Sequence, residues 1–449
     1  MKTFLDWSAY EDAGMGDAYA DIPRTGGDFA KAVAVCINSR RCESLDKGVM
    51  CPSYRLNGDA DLSTGARVRL LKAALNGELG KPGLLDPRLV EAMDLCVSCK
   101  GCKRECENNV DMAQIKIEYL AQLNAATGLS LRARLLAGLP HGLTRISWLK
   151  DLIRLRNRHS WLARWGERLL GISAGRRLPE PATRSFESTT QAVEGERQVV
   201  LFIDTFTRHF EPEIAEAAIA VLEAGGYKVN LAQPTDEKSR QRPLCCGRTY
   251  LSQGMVAQAK EEATRMLDAL LPHAKAGQPI IGLEPSCLLT LRDEYRSLGL
   301  GEAAEQLAKQ ALLFEEFLAR EQTAGRLDLP LQKPVNGEEK ILIHGHCHQK
   351  AVGAMKSMRK VLKLIPGVKF EMIDASCCGM AGSFGLEAEH AKQSMAMAEL
   401  ALLPALRAEP EAGIVANGFS CRQQIVEGVR RSPQHLALLL RSALVPEQS

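Results

Sequence analysis

The chain has 449 residues, 45% of them hydrophobic and 25% charged, with a formal net charge of +3. That length exceeds one ordinary core and predicts several domains of ~100 to 200 residues. The near-balanced charge predicts no overall electrostatic partner, nucleic acid included.

The opening stretch, MKTFLDWSAYEDAGMG, lacks the cationic leader and apolar core of a signal peptide, so a cytoplasmic location is expected. No apolar run approaches the ~20 residues needed to span a bilayer, which leaves peripheral contact as the expected mode of any membrane association. Fourteen cysteines in a reducing compartment point to metal or redox chemistry instead of disulfides. All fourteen fall into four groups.

Residues 1–27 read as an N-terminal extension, and residues 28–124 as a small helical ferredoxin-like domain. The stretch CINSRRCESLDKGVMCPSY gives Cys36, Cys42 and Cys51, the last followed by Pro52, and CVSCKGCKREC gives Cys96, Cys99, Cys102 and Cys106. The second spacing, C-x2-C-x2-C-x3-C, is that of a bacterial ferredoxin loop, in which three thiolates hold one 4Fe-4S cube and the fourth reaches a neighbour. By that crossover Cys51 completes the cluster of Cys96, Cys99 and Cys102. Cys106 joins Cys36 and Cys42, which makes three thiolates where a cube takes four. The second site is therefore open between 4Fe-4S, 3Fe-4S, a non-cysteine ligand from the 37–50 loop, and no cluster. Gly101 suits a loop whose amides point at an anionic cluster. The runs STGARVRLLKAALNGEL, capped by Ser63 or Thr64, and VDMAQIKIEYLAQL carry apolar residues at helical spacing and should flank these loops.

Residues 125–196 read as a basic helical linker. Between 131 and 177 it carries ten arginines and one lysine against two carboxylates, a local net of +9, and three of the four tryptophans, Trp148, Trp161 and Trp165. Such a run suits a membrane surface or an acidic partner. The plainer and preferred expectation is a connecting helix with its tryptophans in the core and its arginines solvated.

From 197 the chain alternates strand and helix in two copies, 197–330 and 331–449. In the first, RQVVLFID, YKVNLAQ and PIIGLEP are strands, with Cys245 and Cys246 after the second and Cys287 after the third. In the second, KILIHGH, VKFEMID and GIVANG are strands, with Cys347, Cys377, Cys378 and Cys421 in matching places. The last cysteine follows the pair by 41 residues in one copy and 43 in the other. Alternation argues for parallel sheets, whose ligands collect beyond the carboxyl ends of the strands, where all these cysteines sit. Gly247 and Gly379 let the chain turn so that adjacent sulfurs face one side.

Four thiolates in the second copy predict a metal centre, iron–sulfur or zinc. The three of the first copy, where Asp204, Thr205 and Phe206 take the expected cysteine position, predict pseudosymmetric support or a partial site. His344, His346 and His348, at i, i+2 and i+4 across a strand end, need not all point inward, and hydrogen bonding to cluster sulfurs is preferred to ligation as their expected role. The fold class is α+β overall, a helical ferredoxin-like domain plus two Rossmann-like α/β repeats.

The phrases MCPSY, LCVSCKGCKREC, LCCGRTYL, LEPSCLLTLRDEY, LLFEEFLAR, HGHCHQKA and SCCGMAGSFG resemble the iron–sulfur portion of FAD-linked 2-hydroxyacid oxidoreductases. These are the glycolate oxidase iron–sulfur subunit and the C-terminal half of D-lactate and D-2-hydroxyglutarate dehydrogenase-like flavoproteins. The paired-cysteine (CCG) module is also similar to that of heterodisulfide reductases, which carry five cysteines per copy where neither copy here does. The resemblance implies a relay, in which a flavin takes two electrons from a 2-hydroxyacid and passes them singly through iron–sulfur centres to a quinone or protein acceptor. Fused relatives carry a flavin region ahead of CINSRRC. Only about 35 residues precede it here, so FAD and the catalytic residues are expected on a partner subunit. A disulfide-reducing catalyst and a zinc-stabilised scaffold for the flavoprotein are the competing expectations.

Overall fold

The structure, a computed structural model, describes residues 1–14, 20–44, 48–146, 148–187, 197–235, 242–333 and 340–445. In its N-terminal part the two expected helices are present. Thr64–Leu75 is capped by the Ser63 hydroxyl, which accepts from Ala66 N at 3.1 Å. Met112–Thr127 is capped by Asp111, which accepts from Gln114 N at 3.0 Å. Caps of this kind satisfy amides that the first turn leaves without partners. These helices pack with Asp28–Ala34 and Pro87–Asp94 around Phe29, Leu71, Leu89, Met93 and Ile115. The N-terminal extension belongs to the same core. Leu5 and Trp7 are buried in it, and the Glu118 carboxylate accepts from Leu5 N at 2.8 Å and Trp7 Nε1 at 3.2 Å.

Every strand expected from alternation forms. In the first copy β1 (Gln198–Phe202), β2 (Lys228–Leu231), β3 (Ile280–Gly282) and the unanticipated β4 (Ala311–Leu313) make a parallel sheet in the order β2-β1-β3-β4. In the second copy β5 (Lys340–Ile343), β6 (Lys369–Met372) and β7 (Gly413–Val415) are parallel in the order β6-β5-β7. Both copies reverse direction across the sheet beside their first strand, the place where α/β sheets open a crevice.

Two helical stretches of the second copy are interrupted. KAVGAMKSMRKVLKLI is divided into Cys347–Ala351 and Met355–Leu362 around Gly353, whose φ of +76° ends the first turn. The helix after Cys378 is divided into Ala391–Glu399 and Leu402–Ala408, whereas its counterpart Val256–Lys275 is unbroken. Helices of the two copies pack against each other, Pro212–Ala224 on Leu436–Ala443 and Phe314–Thr323 on Met355–Leu362. The shared core runs through Val221, Phe314, Ile343, Val361 and Leu440.

The basic linker forms four short helices, Leu131–Ala137, Leu139–Arg145, Leu149–Arg158 and Ser160–Leu170. Here the structure overturns the preferred expectation, because the tryptophans are not in the core. Trp148, Trp161 and Trp165 are 62%, 58% and 58% exposed, and Leu152, Leu155 and Leu169 are exposed beside them. Positions 148, 152 and 155 and positions 161, 165 and 169 each form a stripe along one helix face. The apolar faces of the last two helices point outward.

Ionic contacts join the N-terminal part to both copies. Lys100 is buried between Asp293 at 2.7 Å and Glu294 at 2.8 Å. His390 is buried between Asp94, 2.7 Å from Nε2, and Glu387, 3.1 Å from Nδ1, and stacks on Phe384 at 4.3 Å. Burial alone would lower the His390 pKa, but the Asp94 and Glu387 carboxylates outweigh it and raise the value to about 9. The unfolded value is ~6.5, so protonation of His390 favours the folded state. That contribution is complete below about pH 6.5 and is lost as pH rises through about 9. Thermal unfolding followed between about pH 6 and pH 10 should show this loss for the wild-type chain and a flatter profile for His390→Gln; equal profiles would place the joint elsewhere.

Candidate functional site

Four sulfurs expected to share a cluster line one cavity. Cys51, Cys96, Cys99 and Cys102 surround it together with Thr64, Arg67, Ser98 and Lys100. Two backbone features bring them together. Gly101 lies so close to the preceding loop that a Cβ would fall 2.8 Å from the Met50 backbone, which sets the 49–51 segment directly against the 99–102 turn. Cys51, Ser98 and Lys100 hold φ values of +52°, +48° and +60°, a left-handed backbone that non-glycine residues adopt at a cost of about 1–3 kcal/mol each. Such strain is retained where surrounding structure enforces it.

The first amides of the Thr64–Leu75 helix aim at two thiols. Thr64 N donates to Cys51 Sγ and Gly65 N to Cys42 Sγ, both at 3.2 Å. A helix N-terminus stabilises thiolate. Cys42 and Cys51 are in side-chain contact, and the shared proton draws Cys42 down to about 6 and pushes Cys51 up. Burial is the main influence on Cys36, whose pKa is raised, and Cys106 and Cys42 are close enough to add to the rise. The second expected group, Cys36, Cys42 and Cys106, thus adjoins the first along the Cys42–Cys51 edge. Of the 37–50 loop considered for its fourth ligand, residues 45–47 lie outside the described residues. Within the described part, Glu43 faces Ser63 and Arg69.

In the second copy Cys347 touches Cys377, Cys377 touches Cys378 and Cys378 touches Cys421, a continuous run of buried sulfur. The turn after the pair depends on Gly379, which has a φ of +83° and would place a Cβ 2.1 Å from Ser394 O. Its amide donates to Cys377 Sγ at 3.4 Å. The equivalent Gly247 has a φ of +77° and packs on Ala259, so the cysteine–glycine turn is built alike in both copies.

The three histidines separate. His346 caps the helix that starts at Cys347, its Nδ1 accepting from His348 N at 3.2 Å, and His348 Nε2 lies 3.0 Å from Ser98 O of the ferredoxin loop. His344 instead lies with Cys378 and Cys421, the three ligand atoms within 4.8 Å of one another. Strand parity in the sequence carried only part of this signal, since His346 shares it. His344 continues β5 on the Leu342 face by strand alternation, and Leu342 belongs to the same core as Cys378 and Cys421.

The first copy has three adjoining thiols, Cys245, Cys246 and Cys287. At its expected fourth position the buried Asp204 is occupied as a helix cap, accepting from Phe206 N at 2.8 Å, Thr207 N at 3.1 Å and Thr207 Oγ1 at 2.6 Å. Its neighbouring acids serve the second copy. Glu284 accepts from Phe419 N at 2.7 Å, at the start of the helix carrying Cys421, and Glu315 accepts from Gln349 and from Asn417 Nδ2 at 3.1 Å.

The donor sets fit iron–sulfur or thiolate–metal centres on grounds of charge. Burial pushes Cys102 up to about 12 and Cys99 well above the ordinary thiol range, so a cation is needed to hold them as thiolates. Two cations, the buried Arg67 and the half-buried Lys350, stand beside the sulfurs already. Arg67, bonded to Ser53 Oγ at 2.8 Å and Ala92 O, lies near Cys51. The Lys350 ammonium donates to Ala375 O and to Ser376 O at 3.1 Å, among Cys421, Cys347, Cys377 and Cys378. A buried ammonium surrounded by neutral groups is costly, and net negative charge on metal-bound thiolates offsets that cost.

Residues 35–111 match the family described as 4Fe-4S dicluster domain, and residues 341–425 the family described as cysteine-rich domain. The chain is similar to D-2-hydroxyglutarate dehydrogenase of Escherichia coli (strain K12), 25% identical over 78% of this chain and 34% of the relative. It is similar to a subunit of the anaerobic glycerol-3-phosphate dehydrogenase of the same organism, 27% identical over 61% of this chain and 67% of the relative. Lactate utilization protein A of Bacillus velezensis is 23% identical over 47% of this chain and 84% of its own length. The chain spans about a third of the length of the first of these relatives. Together with the sulfur geometry, these matches make it an iron–sulfur protein similar to parts of known dehydrogenases. The dicluster match agrees with two N-terminal clusters.

If the seven N-terminal cysteines divide as the geometry groups them, Cys51→Ser should remove about four irons with their sulfide and leave the signal of the second cluster. Cys106→Ser should do the reverse. Iron and sulfide analysis with low-temperature EPR on anaerobically isolated protein checks this; identical losses from both substitutions would mean a single shared site.

Proposed function

We propose that this chain is the electron-transfer subunit of a flavin-linked dehydrogenase complex acting on a 2-hydroxyacid of the glycolate, D-lactate or D-2-hydroxyglutarate class. Electrons enter from a partner FAD-binding subunit and leave to a quinone or protein acceptor. The observation that carries this reading is the continuity of sulfur. Cys99, of the ferredoxin loop, is close enough to Cys347 that a charge on one raises the pKa of the other, and both share an apolar cluster with Cys377. Two relatives that are mostly covered support a separate subunit, one of them itself named as a subunit.

A clustered set of donors at this spacing would supply one-electron steps. The protein's own part is to hold the thiolates, balance their charge through Arg67 and Lys350, and keep water out. The burial of Cys347, Cys377, Cys378 and Cys421 favours a relay over a disulfide-reducing catalyst, whose substrate would have to reach a sulfur. Anaerobically purified complex should carry about eight or more irons per chain and retain a flavoprotein, and Cys99→Ser should slow acceptor reduction while leaving flavin reduction by the hydroxyacid unchanged. A colourless zinc-loaded preparation without EPR signals would favour the scaffold reading.

The acceptor side lies, on this reading, at the exposed face of Leu149–Arg158 and Ser160–Leu170. Tryptophan and leucine stripes flanked by arginine match the boundary of an anionic bilayer, where aromatic rings settle at headgroup level and guanidinium groups meet phosphate. Vesicles containing anionic lipid should bind the chain in a salt-sensitive way, and replacing Trp161 and Trp165 with Ser should weaken binding at least about tenfold. Binding indifferent to both lipid charge and salt would refute a membrane role for this face.

A further inference from the structure

His344 is buried to 1% exposure, and neither ring nitrogen has a hydrogen-bond partner among the described residues. A buried imidazole with both nitrogens unsatisfied forfeits hydrogen bonds that it would make in water. Its neighbours explain the arrangement. The ring lies with Cys378 and Cys421, every ligand atom within 4.8 Å of the others, at the carboxyl end of β5. His344 N donates to Val415 O at 2.9 Å, so sheet pairing fixes its backbone and leaves the side chain to the sulfur side. The two other histidines of the motif have other partners, His346 at the helix cap and His348 on Ser98 O.

Space around the centre is restricted. A Cβ at Gly418 would fall 3.2 Å from Cys421 Sγ and 2.5 Å from the His346 ring. One ring nitrogen of His344 therefore lies beside two soft donors held by close packing.

We propose that His344 supplies a nitrogen ligand to the metal centre of the second copy, alongside Cys378 and Cys421. The inference rests on the reading that Cys347, Cys377, Cys378 and Cys421 form a metal centre, and it adds a fifth donor to that set. Imidazole and thiolate together suit zinc or iron. This replaces the expectation that the histidine only hydrogen-bonds to cluster sulfur.

The test uses the full chain, isolated anaerobically with isotope-labelled histidine, in wild-type, His344→Asn and His346→Asn forms. Asparagine at 344 keeps an N–H donor but removes the imidazole, whereas asparagine at 346 preserves a helix cap. With an iron–sulfur cluster at the centre, pulsed EPR should show a histidine-nitrogen coupling in wild type and His346→Asn that is lost in His344→Asn. With zinc, cobalt substitution should give a mixed sulfur–nitrogen spectrum that becomes sulfur-only in His344→Asn. If that variant fails to fold, the isotope dependence in wild type and its persistence in His346→Asn still decide. A loaded centre with no histidine coupling, or a coupling that survives in His344→Asn, overturns His344 ligation alone. Iron confined to the N-terminal sites, with no metal at Cys377 and Cys378, overturns the centre and the ligation together.

Discussion

A thiol taken out of water stays protonated unless positive charge stands against it, and most of this chain's architecture answers that constraint. Eleven of the fourteen cysteines are buried, the others half-buried. Around them the structure places the N-terminus of one helix at Cys42 and Cys51, the Arg67 guanidinium near Cys51, and the Lys350 ammonium among the sulfurs of the second copy. Neither cation would be favourable beside neutral apolar side chains, because each has given up its hydration. Metal-bound thiolate and buried cation stabilise one another, so the same residues that order the fold prepare the centres.

The two α/β copies illustrate how a repeat can divide its labour. Each keeps the parallel sheet, the paired cysteines and the left-handed glycine. The first has an aspartate where the second has a cysteine, and it turns that carboxylate into a helix cap. Its other buried acids point across the pseudosymmetric boundary, Glu284 to the amide of Phe419 and Glu315 to Gln349 and Asn417. Burial raises both acids to about 7. The first copy thereby holds the start of the helix that presents Cys421. Phe206 and Phe419, stacked at 4.8 Å, close the same boundary with apolar surface.

The strands, the cysteine groups and the turn after each cysteine pair were legible in the sequence, because these depend on local rules: apolar alternation, spacing between donors, and the freedom of glycine at positive φ. What depends on distant partners was not. The break at Gly353 occurs inside a run whose apolar spacing is helical throughout. Lys100 looks like any polar loop residue until Asp293 and Glu294 appear against it. The tryptophans of the linker were expected inside, since apolar side chains in a charged run usually cover a core, yet no described element covers that face. His344, His346 and His348 look equivalent as letters, and only the end of β5 and the start of the next helix assign one to the sulfurs and the others to backbone.

The joint between the ferredoxin-like part and the α/β copies decides how far the sulfur sites can act together. A single ion pair would leave the two parts free to separate, since an exposed pair contributes only about 0–1 kcal/mol. Here the loop of Cys96, Cys99 and Cys102 is gripped on both sides. Lys100 is anchored in the first copy by two acids, while the Ser98 carbonyl, two residues away along the loop, meets the His348 ring of the second. Cys99 lies between these anchors, so its distance to Cys347 is set by contacts to both copies at once. A relay whose successive centres are carried on different domains needs that spacing held, and this short loop holds it without a flexible connection.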